Sequence, residues 1–293
     1  MCKLKSGLLF KNGVFVPDYD SHDKMLEEKG IEDTAENRIA GKFVRFELSP
    51  KNDDPFSPVR DWIFTIDQDE LPEWIQEDIQ KYESMAREAV SEWASERIFV
   101  GVDSLNITDG SGYYLKDCAD VTLSGSSTVQ DMRDSSTVQY MRDSSTVQNM
   151  WDSSTVRNMR GSSTVRNMRD SSTVQYMWGS STVQNMWDSS TVQYMRDSST
   201  VQNMWGSSTV QYMWGSSTVQ NMWDSSTVQY MRGSSTVRNM RGSSTVKIAE
   251  NLAKGVNVET IILSQNATIK DCRTKTLYAS GDWKLSIKEA SDA

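Results

Sequence analysis

The chain has 293 residues and a formal net charge of −9, a length that suits one large or two ordinary domains. Met1 to Val100 holds 22 acidic and 13 basic side chains, so this segment carries the whole −9 and the remainder balances at 18 against 18. An acidic segment joined to a neutral one lacks the clustered basic surface of a general nucleic-acid binder. Three scattered cysteines, Cys2, Cys118 and Cys272, exclude a disulfide framework or a cysteine-rich zinc site, and no apolar run reaches the length of a membrane span.

The start, Met-Cys-Lys-Leu-Lys-Ser-Gly-Leu-Leu-Phe, has neither a long apolar segment nor a cleavage site and predicts no signal peptide. The expected setting is the reduced cytoplasm, or a virion assembled there. Leu8-Leu9-Phe10 and Val14-Phe15-Val16 flank Asn12-Gly13, which predicts a hairpin. Ser21 to Lys29, stopped by Gly30, reads as a short helix. Lys42–Leu48 and Trp62–Ile66 read as strands. Pro72 to Arg97 reads as one long amphipathic helix with Trp74, Ile75, Ile79, Tyr82, Met85, Ala89, Val90 and Trp93 on its apolar side. Residues 1–98 are therefore expected to form a small acidic α+β head that ends in a long helix.

Within that head, Asp18, Asp20, His22 and Asp23 are metal-ligand residue types. A turn and a helix N-terminus, where Asp and Ser cap backbone donors, explain the same residues, and no metal site is assigned. Asp67, Asp69 and Glu70 read as a solvated loop.

From Ser126 the sequence repeats. Ser-Ser-Thr-Val recurs every nine residues up to Ser243, and thirteen full units end at Gly242 with the consensus Ser-Ser-Thr-Val-Gln-(Tyr/Asn)-Met-(Trp/Arg)-(Asp/Gly). The sixth position separates two alternating sets of units. One reads Tyr140, Asn158, Tyr176, Tyr194, Tyr212, Tyr230, and the other Asp131, Asn149, Asn167, Asn185, Asn203, Asn221, Asn239. The true period is thus eighteen. Nine extended residues hardly close a circuit around packed side chains, whereas two nonapeptides do, with coils stacking at about 4.8 Å. A helix is excluded by the Ser, Thr, Val, Asn and Gly content and by a period of nine, which keeps no apolar stripe. The valine and methionine present in every unit are too much apolar side chain for a disordered Ser-rich tract.

Constant valine and methionine predict the interior. The eighth position switches freely between Trp (151, 178, 187, 205, 214, 223) and Arg, so it faces outward, because an unpaired buried guanidinium is too costly. In the unit Ser171–Gly179, Ser172 shares the inner face with Val174, and a bend falls between Val174 and Met177. Asp or Gly at the ninth place marks the other corner. Tyr114–Cys118 and Thr268–Cys272 look like diverged units, with Leu or Ile in the valine place and buried Cys in the methionine place. Residues 99–293 are therefore expected to form a parallel β-solenoid with diverged caps, running to about Ile287 around the regular repeats at 126–242. The fold class is mostly β.

Lys-Asn-Gly-Val-Phe-Val-Pro-Asp-Tyr-Asp-Ser-His (residues 11–22) and Trp-Ile-Phe-Thr-Ile-Asp-Gln-Asp (residues 62–69), followed by Ser-Ser-Thr-Val units, resemble uncharacterised nonapeptide-repeat β-solenoid proteins encoded by bacteriophages and prophages of gut bacteria. The resemblance covers most of the chain. It implies a viral setting and a β-helical body, and carries no activity or site residue.

Several functional classes remain in view. Ladders of Tyr176, Tyr194, Tyr212 and Tyr230 and rows of Trp151, Trp178, Trp187, Trp205, Trp214 and Trp223 beside Arg are interface-prone. They point to a non-enzymatic binding or structural protein, with a protein partner of host or viral origin or a place in a virion or fibre. The same ladders also have a purely stabilising reading. A carboxylate-pair polysaccharide-cleaving enzyme is disfavoured, because the thirteen repeats contain no Glu and Gly replaces Asp in six of them. Glycan or ice binding would use the Ser/Thr columns. Calcium binding lacks the glycine-rich Asp loop it needs. No catalytic residue and no cofactor are predicted, and self-association through the C-terminal cap is an expectation from open solenoid ends.

Overall fold

The computed structural model describes residues 5–248, 262–263 and 265–280. Cys2 and the expected last stretch of solenoid, 281–287, lie outside the described residues. Two compact units are present: residues 1–100 with 112–114, and residues 101–111 with 115–293.

The first unit is a four-stranded antiparallel sheet with helices. Strands β1 (Lys5–Phe10) and β2 (Gly13–Phe15) form the expected hairpin with Phe10 opposite Gly13, β3 (Val44–Ser49) pairs with β1, and β4 (Ile63–Ile66) pairs with β3, giving the order β2-β1-β3-β4. Helix α1 (His22–Glu28) starts at Ser21, whose side chain accepts the Lys24 N–H at 3.3 Å, and is followed by Gly30 at φ 65°. A helix the sequence pattern did not announce, α2 (Ala35–Ile39), is capped by Thr34. At five residues it is too short to show a helical period.

The helix expected from Pro72 to Arg97 is two helices, α3 (Glu73–Glu77) and α4 (Ile79–Arg97). The break is Asp78, at φ −151°, whose carboxylate caps α4 by accepting the Lys81 N–H at 3.1 Å. Restarting the helix there shifts its face. Ile79 is 45% exposed, and the buried row is Tyr82, Ala86, Val90 and Ala94 at four-residue spacing. Among the described residues of this unit, one charged group lies fully inside. Lys5 donates from Nζ to Asp20 Oδ1 at 2.8 Å and to the Tyr19 carbonyl at 3.2 Å; burial pulls its pKa below the ordinary lysine range, against the opposing pull of Asp20.

The second unit is the parallel β-solenoid, with about eighteen residues in each coil. One eleven-stranded sheet begins at Leu105–Thr108 and carries the tyrosine set of repeats from Thr137–Met141 to Thr227–Met231. A second sheet carries the asparagine set from Thr128–Arg133 to Thr236–Met240. Each strand pairs in register with its copy eighteen residues away, Thr173 with Thr191 and Val174 with Val192, then Tyr176 with Tyr194 and Met177 with Met195. All thirteen repeat valines and methionines are fully buried, as are the second serines, apart from a trace at Ser235. Between the buried Val174 and Met177, both Gln175 and Tyr176 lie half-buried on the outside. The period-two alternation is thus broken inside the strand, which the three-residue spacing requires.

The ninth residue turns the corner in the left-handed region, with φ of 54–58° at the seven repeat aspartates and 65–68° at the six repeat glycines. Glycine enters this region freely, and Asp or Asn more readily than other residues. Aspartate adds a bond there: its carboxylate accepts the N–H of the ninth residue one coil earlier, as Asp170 does from Asp152 at 3.3 Å and Asp224 from Gly206 at 3.1 Å.

The caps differ from the expected pattern. The Thr137 N–H donates to the Cys118 carbonyl, in the way that the Thr155 N–H donates to Ser136. Cys118 is buried, but it stands in the place of the inner serine rather than of methionine. At the other end Ile248 pairs with Asp271, which takes the methionine place, and Cys272 follows half-buried in the eighth place. The shift at Cys272 arises inside the strands, where Val246 to Ile248 and Ile269 to Asp271 span two residues in place of the three between valine and methionine. Asp271 is tolerated inside because Arg273 Nη2 lies 2.6 Å from its Oδ2. The antiparallel strand Thr276–Ala279 then closes that edge of the eleven-stranded sheet.

Two outcomes follow. A Cβ at Gly206 would lie 3.0 Å from the Asp188 nitrogen at φ 65°. Gly206→Ala should therefore lower stability by about 1 kcal/mol. Gly206→Asp should stay within about 0.5 kcal/mol of the parent, because its carboxylate accepts the Asp188 N–H. Urea unfolding of both variants measures this, and equal losses would remove the corner carboxylate from the account. Acid should act first at the ends. The Ser126 N–H and hydroxyl hold Asp109 below its ordinary value of 3.8, and the Arg273 guanidinium does the same for Asp271. Carboxyls with depressed folded pKa values contribute fully above 3.8, and that contribution is lost as pH falls through the lower folded values. Hydrogen exchange should show the first and last coils opening below that pH while central coils stay protected.

Candidate interaction surface

In-register stacking converts each outward position of the repeat into a row. On the eleven-stranded sheet, Tyr176, Tyr194, Tyr212 and Tyr230 stack with ring centroids 5.0, 5.0 and 5.1 Å apart and planes within 9°. The spacing is slightly more than the strand separation of roughly 4.8 Å, so the rings lie almost flat on one another. The row begins after Asn158; Tyr140 below it is isolated, 37% exposed, and lies under the Arg142 guanidinium at 4.9 Å. At its other end Lys247 Nζ sits 4.8 Å over the Tyr230 ring. There an open groove of about 580 Å³ is lined by Tyr230, Lys247, Lys270 and Leu277, with Thr227, Thr245 and Thr268 along it.

The corresponding positions on the second sheet make an amide ladder. Asn149 Nδ2 donates to Asp131 Oδ1 at 3.0 Å, and each later asparagine donates to the one before it, from Asn167 to Asn239, at 2.8–3.0 Å. An amide can do this because it carries both a donor and an acceptor.

The eighth positions form an aromatic and cationic row along each sheet. Beside the asparagine ladder, Arg169 lies between Trp151 and Trp187, 4.7 and 5.0 Å from their centroids. Trp187, Trp205 and Trp223 then stack at 5.3 and 4.8 Å. Beside the tyrosine row, Arg196 lies between Trp178 and Trp214 at 4.6 and 4.2 Å. Trp178 also packs on Tyr176, and Trp214 meets Tyr194 and Tyr212 edge-on. All ten side chains expected to form binding rows therefore fall in two ladder systems, one with Tyr176, Tyr194, Tyr212, Tyr230, Trp178 and Trp214, the other with Trp151, Trp187, Trp205 and Trp223. The groove at Lys247 and Lys270 was not foreseen, because it depends on the irregular cap.

The acidic residues grouped in the head sequence separate in space. Asp18 pairs with Arg97 at 2.8 Å and Asp20 with Lys5, and only His22 turns toward carboxylates from elsewhere in the chain. Glu70 lies 3.3 Å from Arg38 rather than in an acidic loop cluster. Among the described residues no helix is long and apolar enough to cross a membrane. Comparison with protein-family models, with curated proteins and with solved structures gives no match to the chain.

The amide ladder has a measurable share in stability. Asn203 donates to Asn185 and accepts from Asn221, so Asn203→Ala removes two bonds and should cost roughly 2 kcal/mol. Asn239→Ala, at the end of the ladder, removes the bond to Asn221 and should cost about half as much. Thermal unfolding of the two variants compares them, and equal costs would mean that the ladder does not couple the coils.

Proposed function

We propose that this chain is a non-enzymatic interaction protein whose solenoid presents its tyrosine and tryptophan–arginine rows to a protein partner. The observation that carries the reading is the half-buried, coplanar row Tyr176–Tyr194–Tyr212–Tyr230, bordered by Trp178, Arg196 and Trp214. Rigid aromatic side chains and Arg are enriched in interfaces. Here stacking already holds them in place, so little conformational freedom is lost when a partner docks. The resemblance of the head and repeats to phage-encoded proteins supports a viral setting, with a bacterial host factor or a virion component as the partner.

The test is capture from bacterial lysate by the immobilised full chain, compared with a Tyr194→Ser/Tyr212→Ser variant that keeps the parent circular-dichroism spectrum. One captured protein should bind the variant about 30-fold or more weakly, the loss expected when interface hot spots are removed. Equal capture by the two chains would take the tyrosine row out of the interface.

The threonine columns favour a second reading. Thr173, Thr191, Thr209 and Thr227 stand in register on one sheet, and Thr164, Thr182, Thr200 and Thr218 on the other. Regular hydroxyl columns suit an ordered surface such as ice or a glycan, and thermal hysteresis at the freezing point distinguishes the ice reading from the protein-partner one.

A further inference from the structure

The head brings together three metal-ligand side chains that are far apart in the sequence. His22 opens α1, Glu47 lies on β3, and Asp67 directly follows β4. Pairing of β3 with β4 sets Glu47 opposite Thr65, and the Asp67 N–H donates to the Arg45 carbonyl at 2.9 Å. One ligand-type atom from each of His22, Glu47 and Asp67 lies within 4.8 Å of the other two.

The imidazole decides what this cluster can hold. Its Nε2 is 3.2 Å from the Phe46 carbonyl oxygen. A carbonyl only accepts, so Nε2 carries a proton and a neutral ring presents its lone pair at Nδ1. Nδ1 lies 3.3 Å from Asp67 Oδ2, an acceptor-only anion, with the Glu47 carboxylate beside them. Facing electron pairs need either a second ring proton or a cation between them. The separation fits a cation: two ligand atoms each 2.0–2.1 Å from a tetrahedral zinc are about 3.4 Å apart. The Phe46 carbonyl also matches the usual outer partner of a ligating histidine, which donates its other N–H to a carbonyl or carboxylate and so fixes the ring.

We propose that His22 Nδ1, Asp67 and Glu47 form a site for one divalent transition-metal ion of the Zn²⁺ type. The imidazole donor sets this class apart from Mg²⁺ and Ca²⁺, which prefer all-oxygen shells. The two carboxylates balance the charge of the ion. With the His22 side chain 10% exposed and Asp67 49% exposed, the site opens to solvent on the Asp67 side, which leaves a coordination position for water or a ligand.

The test uses the tag-free full chain, stripped with a chelator and titrated with Co²⁺ as a visible probe, then with Zn²⁺ as competitor. His22 is the single histidine, so its ring resonances need no assignment by mutation. One equivalent of Co²⁺ should bind, give the absorption bands of a low-coordinate nitrogen–oxygen site, shift or broaden the His22 resonances, and be displaced by Zn²⁺. His22→Gln and Asp67→Asn should each weaken binding at least tenfold, and Asp23→Asn, in the same helix outside the cluster, should not. Metal-free melting curves check the fold of each variant. If His22→Gln fails to fold, Asp67→Asn decides alone, since that side chain is half-exposed. Parent-like binding by Asp67→Asn overturns the proposal. So does absence of Co²⁺ and Zn²⁺ binding by the folded parent chain.

Discussion

Parallel stacking in register places each side chain of the solenoid against a copy of itself, and the repeat keeps the residues that tolerate this contact. Valine and methionine stack as a dry interior. Asparagine succeeds because one amide's donor meets the next amide's acceptor. Tyrosine succeeds because planar rings fit the strand spacing. Like charges one above another repel, and the two charged positions show how this is managed. Arg169 and Arg196 each lie between two tryptophans, where ring faces attract the guanidinium. The corner aspartates point their carboxylates at backbone N–H groups, including along the unbroken run Asp134, Asp152, Asp170 and Asp188, and glycine separates Asp143 from Asp197 in the other column.

The same constraint explains which parts of the fold were legible. A repeat states its own register, so the eighteen-residue coil, the buried Val174 and Met177 and the break in alternation between them could be read directly. The composition of the Tyr and Asn rows also followed, since the sixth position is the one that separates the two alternating sets of units. At the caps the count is interrupted. Cys118 and Cys272 sit three residues after Leu115 and Ile269, as methionine follows valine in a repeat, yet Cys118 takes the inner-serine place one coil before Ser136. Cys272 falls in the eighth place because Ile269 and Asp271, like Val246 and Ile248, hold the valine and methionine places two residues apart. Spacing alone cannot show where a strand loses a residue.

The head was legible only where a local signal existed. The hairpin at Asn12-Gly13 and the Ser21 cap are local, and both form. Asp78 was hidden because Ile79 and Tyr82 continue, across it, the apolar spacing begun by Trp74 and Ile75. Only its φ/ψ and the bond from Lys81 show that it begins a new helix. The surroundings of His22 were hidden for a different reason. Its neighbours Glu47 and Asp67 come from β3 and from the segment just after β4, and their approach depends on strand pairing. The sequence groups His22 with Asp18, Asp20 and Asp23, but the fold assigns Asp18 and Asp20 to Arg97 and Lys5.

The two units therefore distribute chemistry in different ways. In the solenoid, information is spread over copies, and a change at one rung alters a fraction of a row. Adding or removing one eighteen-residue coil would preserve the core, because each new valine and methionine meets the same neighbours, while it lengthens or shortens the outer rows by one rung each. Any binding strength drawn from those rows is then set by how many rungs a partner spans. The head has no such redundancy. Lys5, His22 and Asp78 each occur once in their surroundings, and each depends on one or two specific carboxylate or backbone partners. A length-tolerant surface joined to a single-copy head suits a protein in which reach can change by duplication without disturbing the fixed unit.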